Sequence, residues 1–287
     1  MIGADRVGSG ARGLSDQSQA SIVGAWRNPY RNGSVLHRRH DAGATRRLLV
    51  APSLLPYPGA MLTGVRIVDL TQPLRPETPP WPGPGRPLEA TVTAMYEPDG
   101  AYCRRITLDE HVGTHFDAPA HFAPDGDRVE AIGAEQLVRP AVVVDVREAC
   151  AEDPDHHVPA ATFEAFEAEH GRIEPGTAVL VMTGWDRFRD DPGRYLSDLH
   201  FPGLATDAGR LLVDRRVAGI GIDTLGIDPG CEPGCPVHHI TMPAGLWHLE
   251  GLLKLDELPP TGAWIVAGAA LIQDASGAPA RVIALVP

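Results

Sequence analysis

From residue 65 onward the chain alternates short apolar runs with clusters of turn-forming residues. Residues 65–70 (Val-Arg-Ile-Val-Asp-Leu) place apolar side chains at loosely alternating positions, the period of a strand with one buried face. Residues 89–96 and 103–109 repeat the β-type pattern, with Pro98-Asp-Gly100 as the turn between them. Residues 141–146 and 177–183 are continuous apolar runs, as in strands buried on both faces. Residues 206–216 set Ala208, Leu211 and Leu212 at helical spacing and lead into a strand over 217–223. A shorter helix is expected over 163–170, with Thr162 as its N-cap and Gly171 as its stop. Strands over 263–269 and 282–286 close the chain. Between residues 73 and 87, seven prolines remove the backbone donors that a ladder needs, which predicts an extended loop. Strands outnumber helices, and only some alternate with them. The pattern predicts a mixed α/β domain with a largely antiparallel sheet and flanking helices, not a doubly wound parallel one.

No repeat or break in composition divides residues 64–287, which are expected to form one domain. Residues 1–60 differ. They show no sustained period, are rich in Gly, Ser, Asn and Ala, and hold eight arginines against three aspartates. A secretory signal needs an apolar core of about 7–15 residues, and the first thirty residues lack one. The expectation is a disordered extension, or a start codon placed upstream of the true one at Met61; an Arg- and Ser-rich organellar leader is the alternative.

Composition narrows the partners. The 287 residues are 43% hydrophobic and 22% charged, an ordinary globular balance. No apolar run reaches the ~18 residues of a bilayer-spanning helix, so no membrane partner is expected. A net charge of −12 argues against nucleic acid, whose phosphates need a basic face. Four cysteines are too few for a disulfide scaffold. These features lead us to expect a cytoplasmic protein that acts on a small molecule.

The chemistry is concentrated in residues 111–121, which read His111-Val-Gly-Thr-His115-Phe-Asp117-Ala-Pro-Ala-His121. Three imidazoles and a carboxylate in so short a run suit a metal or acid/base site better than a chance grouping among twelve histidines. Gly113 and Pro119 argue against one regular helix, so the donors are expected to converge from a strand end and a loop. Imidazole suits Zn, Mn, Fe or Ni. The two oxygens of Asp117 allow it to bridge a pair of metals, which a histidine cannot do. A second group, Pro236-Val-His238-His239, precedes Glu250 by twelve residues, with Gly245, Trp247 and His248 between. Alone, a histidine pair on a loop is a weak signal. Together with the first run, it offers the remaining ligands of a pair of metal shells.

The run His-x3-His-x-Asp-x-Pro-x-His resembles the signature of the metal-dependent cyclase family, which includes kynurenine formamidases and isatin hydrolases. The resemblance runs from about residue 64 to the C-terminus. It takes in Asp69-Leu-Thr71 with Pro73-Leu74, Trp81-Pro-Gly83, Thr183-Gly-Trp185, Gly221-Ile-Asp223-Thr224, Glu250-Gly-Leu252 and Arg281-Val-Ile-Ala284. It implies a swivelling β/β/α domain assembled as a homodimer or homotetramer and carrying two divalent metal ions, zinc first and manganese as the alternative. On this resemblance His111 and His115 bind one metal, His238 binds the other, Asp117 and Glu250 bridge, and His121 is the catalytic acid/base. Trp81 is placed on the substrate side, where it can stack on an aromatic ring; filling the core is the other reading of this residue.

The activity implied is hydrolysis of a small aryl formamide, with N-formyl-L-kynurenine giving L-kynurenine and formate in tryptophan catabolism. A cyclic-amide hydrolase of the isatin type, or one acting on another small amide or ester, is the alternative. A metal-binding protein without catalysis is the last, and His121 argues against it. The sequence departs from the formamidase pattern at Pro84, where an acidic residue is usual, and at Gly226, where many members have serine. Cys231 and Cys235 flank an unusual Pro/Gly segment; reduced thiols are expected there in preference to a disulfide or extra soft ligands. Gly219-Ile-Gly221 is too short and wrongly flanked for a dinucleotide loop.

Overall fold

The computed structural model describes residues 63–82 and 88–287. The expected extension over 1–60, and Gly83 and Pro84 of the proline-rich loop, lie outside the described residues. The strands are β1 (Arg66–Asp69), β2 (Glu89–Ala94), β3 (Cys103–Thr107), β4 (His115–Asp117), β5 (Val138–Asp145), β6 (His157–Val158), β7 (Ala178–Met182), β8 (Gly203–Leu204), β9 (Gly219–Ile222), β10 (Trp247–Glu250), β11 (Ala263–Ala269) and β12 (Gly277–Val286). The α-helical segments are α1 (Tyr96–Asp99), a single turn with non-helical backbone at Glu97, α2 (Arg147–Glu152), α3 (Ala160–His170), α4 (Pro192–Leu196), α5 (Thr206–Arg215) and α6 (Pro236–Thr241).

The expected sheet is mixed, but it is not open. Its order is β12-β11-β5-β7-β9-β10-β4, and β4 returns to pair with β12, closing a seven-stranded barrel. β12 makes this possible because its ten residues serve three neighbours. Gly277–Pro279 pair with β4, later residues pair with β11, and β1 pairs with the final stretch. The pairings β5–β7, β7–β9 and β9–β10 are parallel, and the others in this sheet are antiparallel. β2 and β3 form a separate hairpin whose side chains are almost all exposed.

Period-2 alternation sorts the side chains into two cores. Phe116, Ala141, Val143, Ala178, Leu180, Trp247, Leu249, Ile265, Val282 and Ala284 fill the barrel interior. The space is narrow, hence the alanines. At Gly219 an added Cβ would sit 2.2 Å from the Trp247 indole, so the glycine makes room for a ring inside the barrel and has no nucleotide role. On the outer face Val179, Val181, Ile220 and Ile222 pack under α3 and α5 through Phe163, Phe166, Ala208 and Leu212. Each Val, Ile, Leu or Phe among them contributes roughly 1.5–3 kcal/mol by leaving water.

Two local expectations need correction. The helix expected over 163–170 begins at Ala160, with Pro159 as N-cap and Thr162 inside the first turn. Proline's fixed φ and missing donor suit a helix start, and this outweighs the capping preference of threonine. The histidine pair at 238–239, read as a loop, lies in α6, which Pro236 opens at its first position. Among the described residues no helix is long and apolar enough to cross a membrane.

Candidate metal centre and active-site cleft

The site lies on the outer face of the barrel where β4 and β10 pair. Phe116 of β4 and Trp247 and Leu249 of β10 point inward, so alternation turns His115, Asp117, His248 and Glu250 outward. The antiparallel register sets His248 opposite Asp117 and Glu250 opposite His115. His115 Nε2 lies 3.2 Å from Asp117 Oδ1 and 3.3 Å from Glu250 Oε2. His115 Nδ1–H donates to the Gly113 carbonyl at 3.0 Å, which leaves Nε2 as the nitrogen presented to the cluster.

His111 reaches the same point from the preceding loop, with Nδ1 2.6 Å from Asp117 Oδ1 and Nε2 3.1 Å from Ser276 Oγ. Its ring fits because residue 277 is glycine; a Cβ there would be 2.3 Å from His111 Cε1. α6 covers the cluster and delivers His238. The Nδ1–H of His238 donates to Asp228 Oδ2 at 2.6 Å, and its Nε2 lies 3.3 Å from Glu250 Oε1 and 3.8 Å from Asp117 Oδ2. Glu250 Oε1 also accepts the Ile227 backbone N–H at 2.9 Å. His239 is exposed, so of the pair only His238 joins the cluster.

The donor set fits a divalent cation. His111, His115 and Asp117 form one group of donor atoms within 4.8 Å of one another, and Asp117, His238, His248 and Glu250 form another. Two buried polar atoms in these groups, Asp117 Oδ2 and His248 Nδ1, have no hydrogen-bond partner. Imidazole with carboxylate is the chemistry of Zn and its first-row neighbours. The electrostatics agree. Burial alone would lower His115 and His238, but the facing carboxylates outweigh it and raise both well above the usual histidine value. Burial and the Asp117 charge would raise Glu250, yet His115 and His238 hold it down at about 2. A cation would take the place of the protons that these carboxylates recruit.

The groups floor a cleft of about 510 Å³ walled by Trp81, Val112, Phe122, Tyr195 and Leu225. Trp81 is 41% exposed, meets Phe201 edge-on, and lines this cleft instead of filling the core. His121, on the short turn Pro119–His121, also lines it and stacks on His111 with ring centroids 3.8 Å apart. His121 belongs to neither donor group. Burial lowers it to about 4, so it is neutral at pH 7.

Asp228, Thr241 and Ser276 near the site escape the sequence reading, which names His248 but gives it no place among the ligands. Asp228 orients His238 and accepts the Val237 and His238 backbone N–H groups at the start of α6. His248 carried a readable signal, since it stands two residues from Glu250 in a strand and must share its face. Thr241 and Ser276 hold histidine nitrogens, and no spacing rule marks them. Cys231 and Cys235 are free thiols, as expected, although Cys235 lies in a donor group with Asp228 and His238. Asp223 and Thr183 are structural: the buried Asp223 carboxylate binds the Thr183 hydroxyl and the Thr183 and Gly184 backbone N–H groups.

Residues 68–229 match the family model for cyclases. Over 248 residues the chain is 34% identical to the isatin hydrolase of Roseibium aggregatum, spanning 79% of this chain and 94% of that protein. It is 28% identical to the kynurenine formamidase of Salinibacter ruber over 222 residues, or 76% of this chain and 96% of that protein. A crystal structure of an isatin hydrolase bound to the product analogue thioisatinate matches with a TM-score of 0.76 at 32% identity, covering 79% of this chain and 95% of that one.

Proposed function

The chain belongs to the cyclase family of hydrolases, and from that premise we propose that it hydrolyses a small, uncharged aryl amide, a cyclic amide of the isatin kind first. The observation that supports this most is the pair of donor groups sharing Asp117 at the floor of an apolar cleft, with the unligated His121 beside them. His111, His115 and Asp117 would hold one divalent metal, zinc first and manganese as the alternative, and Asp117, His238 and Glu250 a second; such ions lower the pKa of a water to about 7 and polarise a carbonyl.

The chain's own residues do the rest. Phe122, Val112, Leu225 and Trp81 take the aryl ring and exclude water from the reacting bond. His121 is neutral at pH 7 and accepts the proton released as water adds to the carbonyl. It passes that proton to the departing nitrogen, which leaves as an amine. In a cyclic amide this nitrogen stays attached through the ring, so one product results.

The substrate order rests on charge. None of the described residues that line the cleft is a Lys or Arg that could pair with the carboxylate of an amino-acid formamide. A compact uncharged ring needs none. The more similar relative bears the isatin hydrolase name, which supports the same order. The aryl formamide N-formyl-L-kynurenine stands second, supported by the kynurenine formamidase relatives. We also place the working unit as a homodimer or homotetramer, because the β2–β3 hairpin leaves Met95, Tyr96, Tyr102 and Ile106 exposed.

The test is an assay of the Zn2+- and Mn2+-loaded chain against isatin, N-formylkynurenine and formanilide. Isatin should show the highest kcat/KM. A higher value for N-formylkynurenine would put the formamide first, and no hydrolysis of any of the three would overturn the hydrolase reading.

A further inference from the structure

The hydrolytic scheme leaves His248 without a task, although it is fully buried in the middle of β10. Its tautomer can be read from its neighbours. Thr241 donates its single hydroxyl proton to the Val237 carbonyl at 2.8 Å. The 2.8 Å contact between Thr241 Oγ1 and His248 Nε2 is therefore donated by the imidazole. Nε2 carries the proton, and Nδ1 is left with a bare lone pair.

That Nδ1 is buried without a partner, and His248 belongs to one donor group with Asp117, His238 and Glu250. Asp117 Oδ2 is the other unpartnered buried atom, and it sits 3.8 Å from His238 Nε2. Two acceptor atoms held in one dry group with no proton between them are satisfied by a cation. The two donor groups differ in the number of donors, three in one and four in the other. Both groups reach the cleft, the first through His111 and His115 and the second through His238 and Glu250, while His248 lies behind it. Metal positions with four protein donors are closed and structural, and those with three leave a place for water or substrate.

We propose that His248 completes the second metal position, so that Asp117, His238, His248 and Glu250 hold one divalent cation with four protein donors. The position at His111, His115 and Asp117, with three protein donors, is then the one that keeps a place for water or substrate. The division of labour follows: the four-donor ion braces the β4–β10–α6 junction, and the three-donor ion serves the reaction. This rests on the metal-centre reading of the site.

The test uses the full chain, stripped and reloaded with Zn2+ or Co2+, as wild type, His248→Phe and Thr241→Val. His248→Phe keeps the ring and removes the nitrogen. Wild type should hold one slowly and one rapidly chelated Zn2+ per chain, and His248→Phe only the rapid one. Thr241→Val removes the tautomer lock and should weaken the slow site by about 10- to 100-fold while sparing the fast one. The Co2+ visible spectrum should lose its four-coordinate bands in His248→Phe. In EDTA, His248→Phe should melt no lower than wild type, and added Zn2+ should raise wild type more than the variant. Unchanged Zn2+ content and release in His248→Phe would overturn the proposal. So would an equal fall in melting temperature with and without metal, the mark of a histidine that only packs. A wild type that holds both ions yet cleaves none of the three amides defeats the hydrolase reading and leaves this proposal standing.

Discussion

Asp228 accepts the Nδ1–H of His238 at 2.6 Å, and the same carboxylate accepts the Val237 backbone N–H at 2.7 Å. One residue therefore both orients an imidazole of the donor cluster and seats the helix that carries it. Asp228→Asn should keep the fold and weaken divalent-metal binding by about 10- to 100-fold, as partners behind metal-ligating histidines do. Isothermal titration of the stripped protein checks this, and unchanged affinity would remove the orienting role.

His121 and His115 should separate catalysis from metal binding. His121→Ala should retain metal and fold while hydrolysis falls by roughly 10²–10⁴. His115→Ala should lose metal and activity together, because Nε2 faces both Asp117 and Glu250. Metal analysis beside the amide assay decides between them. If His121→Ala strips metal as fully as His115→Ala, then His121 is a ligand and the proton carrier must be sought elsewhere.

Gly277→Ala tests the seat of His111. The new Cβ would meet His111 Cε1 at 2.3 Å and the Phe116 carbonyl at 2.8 Å, and the strand backbone cannot yield. The ring must leave its contact with Asp117, so the rapidly chelated metal should be lost and activity should fall about 10²-fold. Zn2+ release measured beside kcat checks this.

Asp223, outside the two donor groups, sets a pH dependence of stability. Burial raises its carboxyl to about 6, although the Thr183 and Gly184 hydrogen bonds oppose the rise. The folded pKa lies above the unfolded one, so the stabilising effect is complete below about pH 4 and is lost as pH rises through about 6. The loss is on the order of 2–3 kcal/mol at about 1.36 kcal/mol per pKa unit. Urea unfolding at pH 4 and pH 7.5 should show wild type losing this much relative to Asp223→Asn; parallel profiles would contradict it.

Removing residues 1–60 should leave the melting temperature and activity unchanged, since the barrel closes on residues 115–286 and β1 begins at Arg66. Melting curves and the amide assay of the truncated and full chains test this.

Most elements were legible because their signals are local. The apolar runs at 141–146 and 177–183 became β5 and β7, and the spacing of Ala208, Leu211 and Leu212 became α5. β4 and β10 were not legible, because three or four residues carry too little periodicity to stand out. Their pairing, and with it the return of β4 to β12, is a relationship between distant segments that no local window contains.

The site divides the same way. His111, His115, Asp117 and His121 could be read as a group because they share eleven residues and a chemistry. His238 and Glu250 came through their family resemblance, and the structure brings both to the cluster. Only the tertiary structure placed His248 opposite Asp117, turned Asp228 onto His238, and made Gly277 the floor under His111. The physical reason is that the sequence by itself determines which side chains are available and which face of a strand they occupy. Which donors meet depends on barrel closure and strand register, and these are settled by packing across the whole domain.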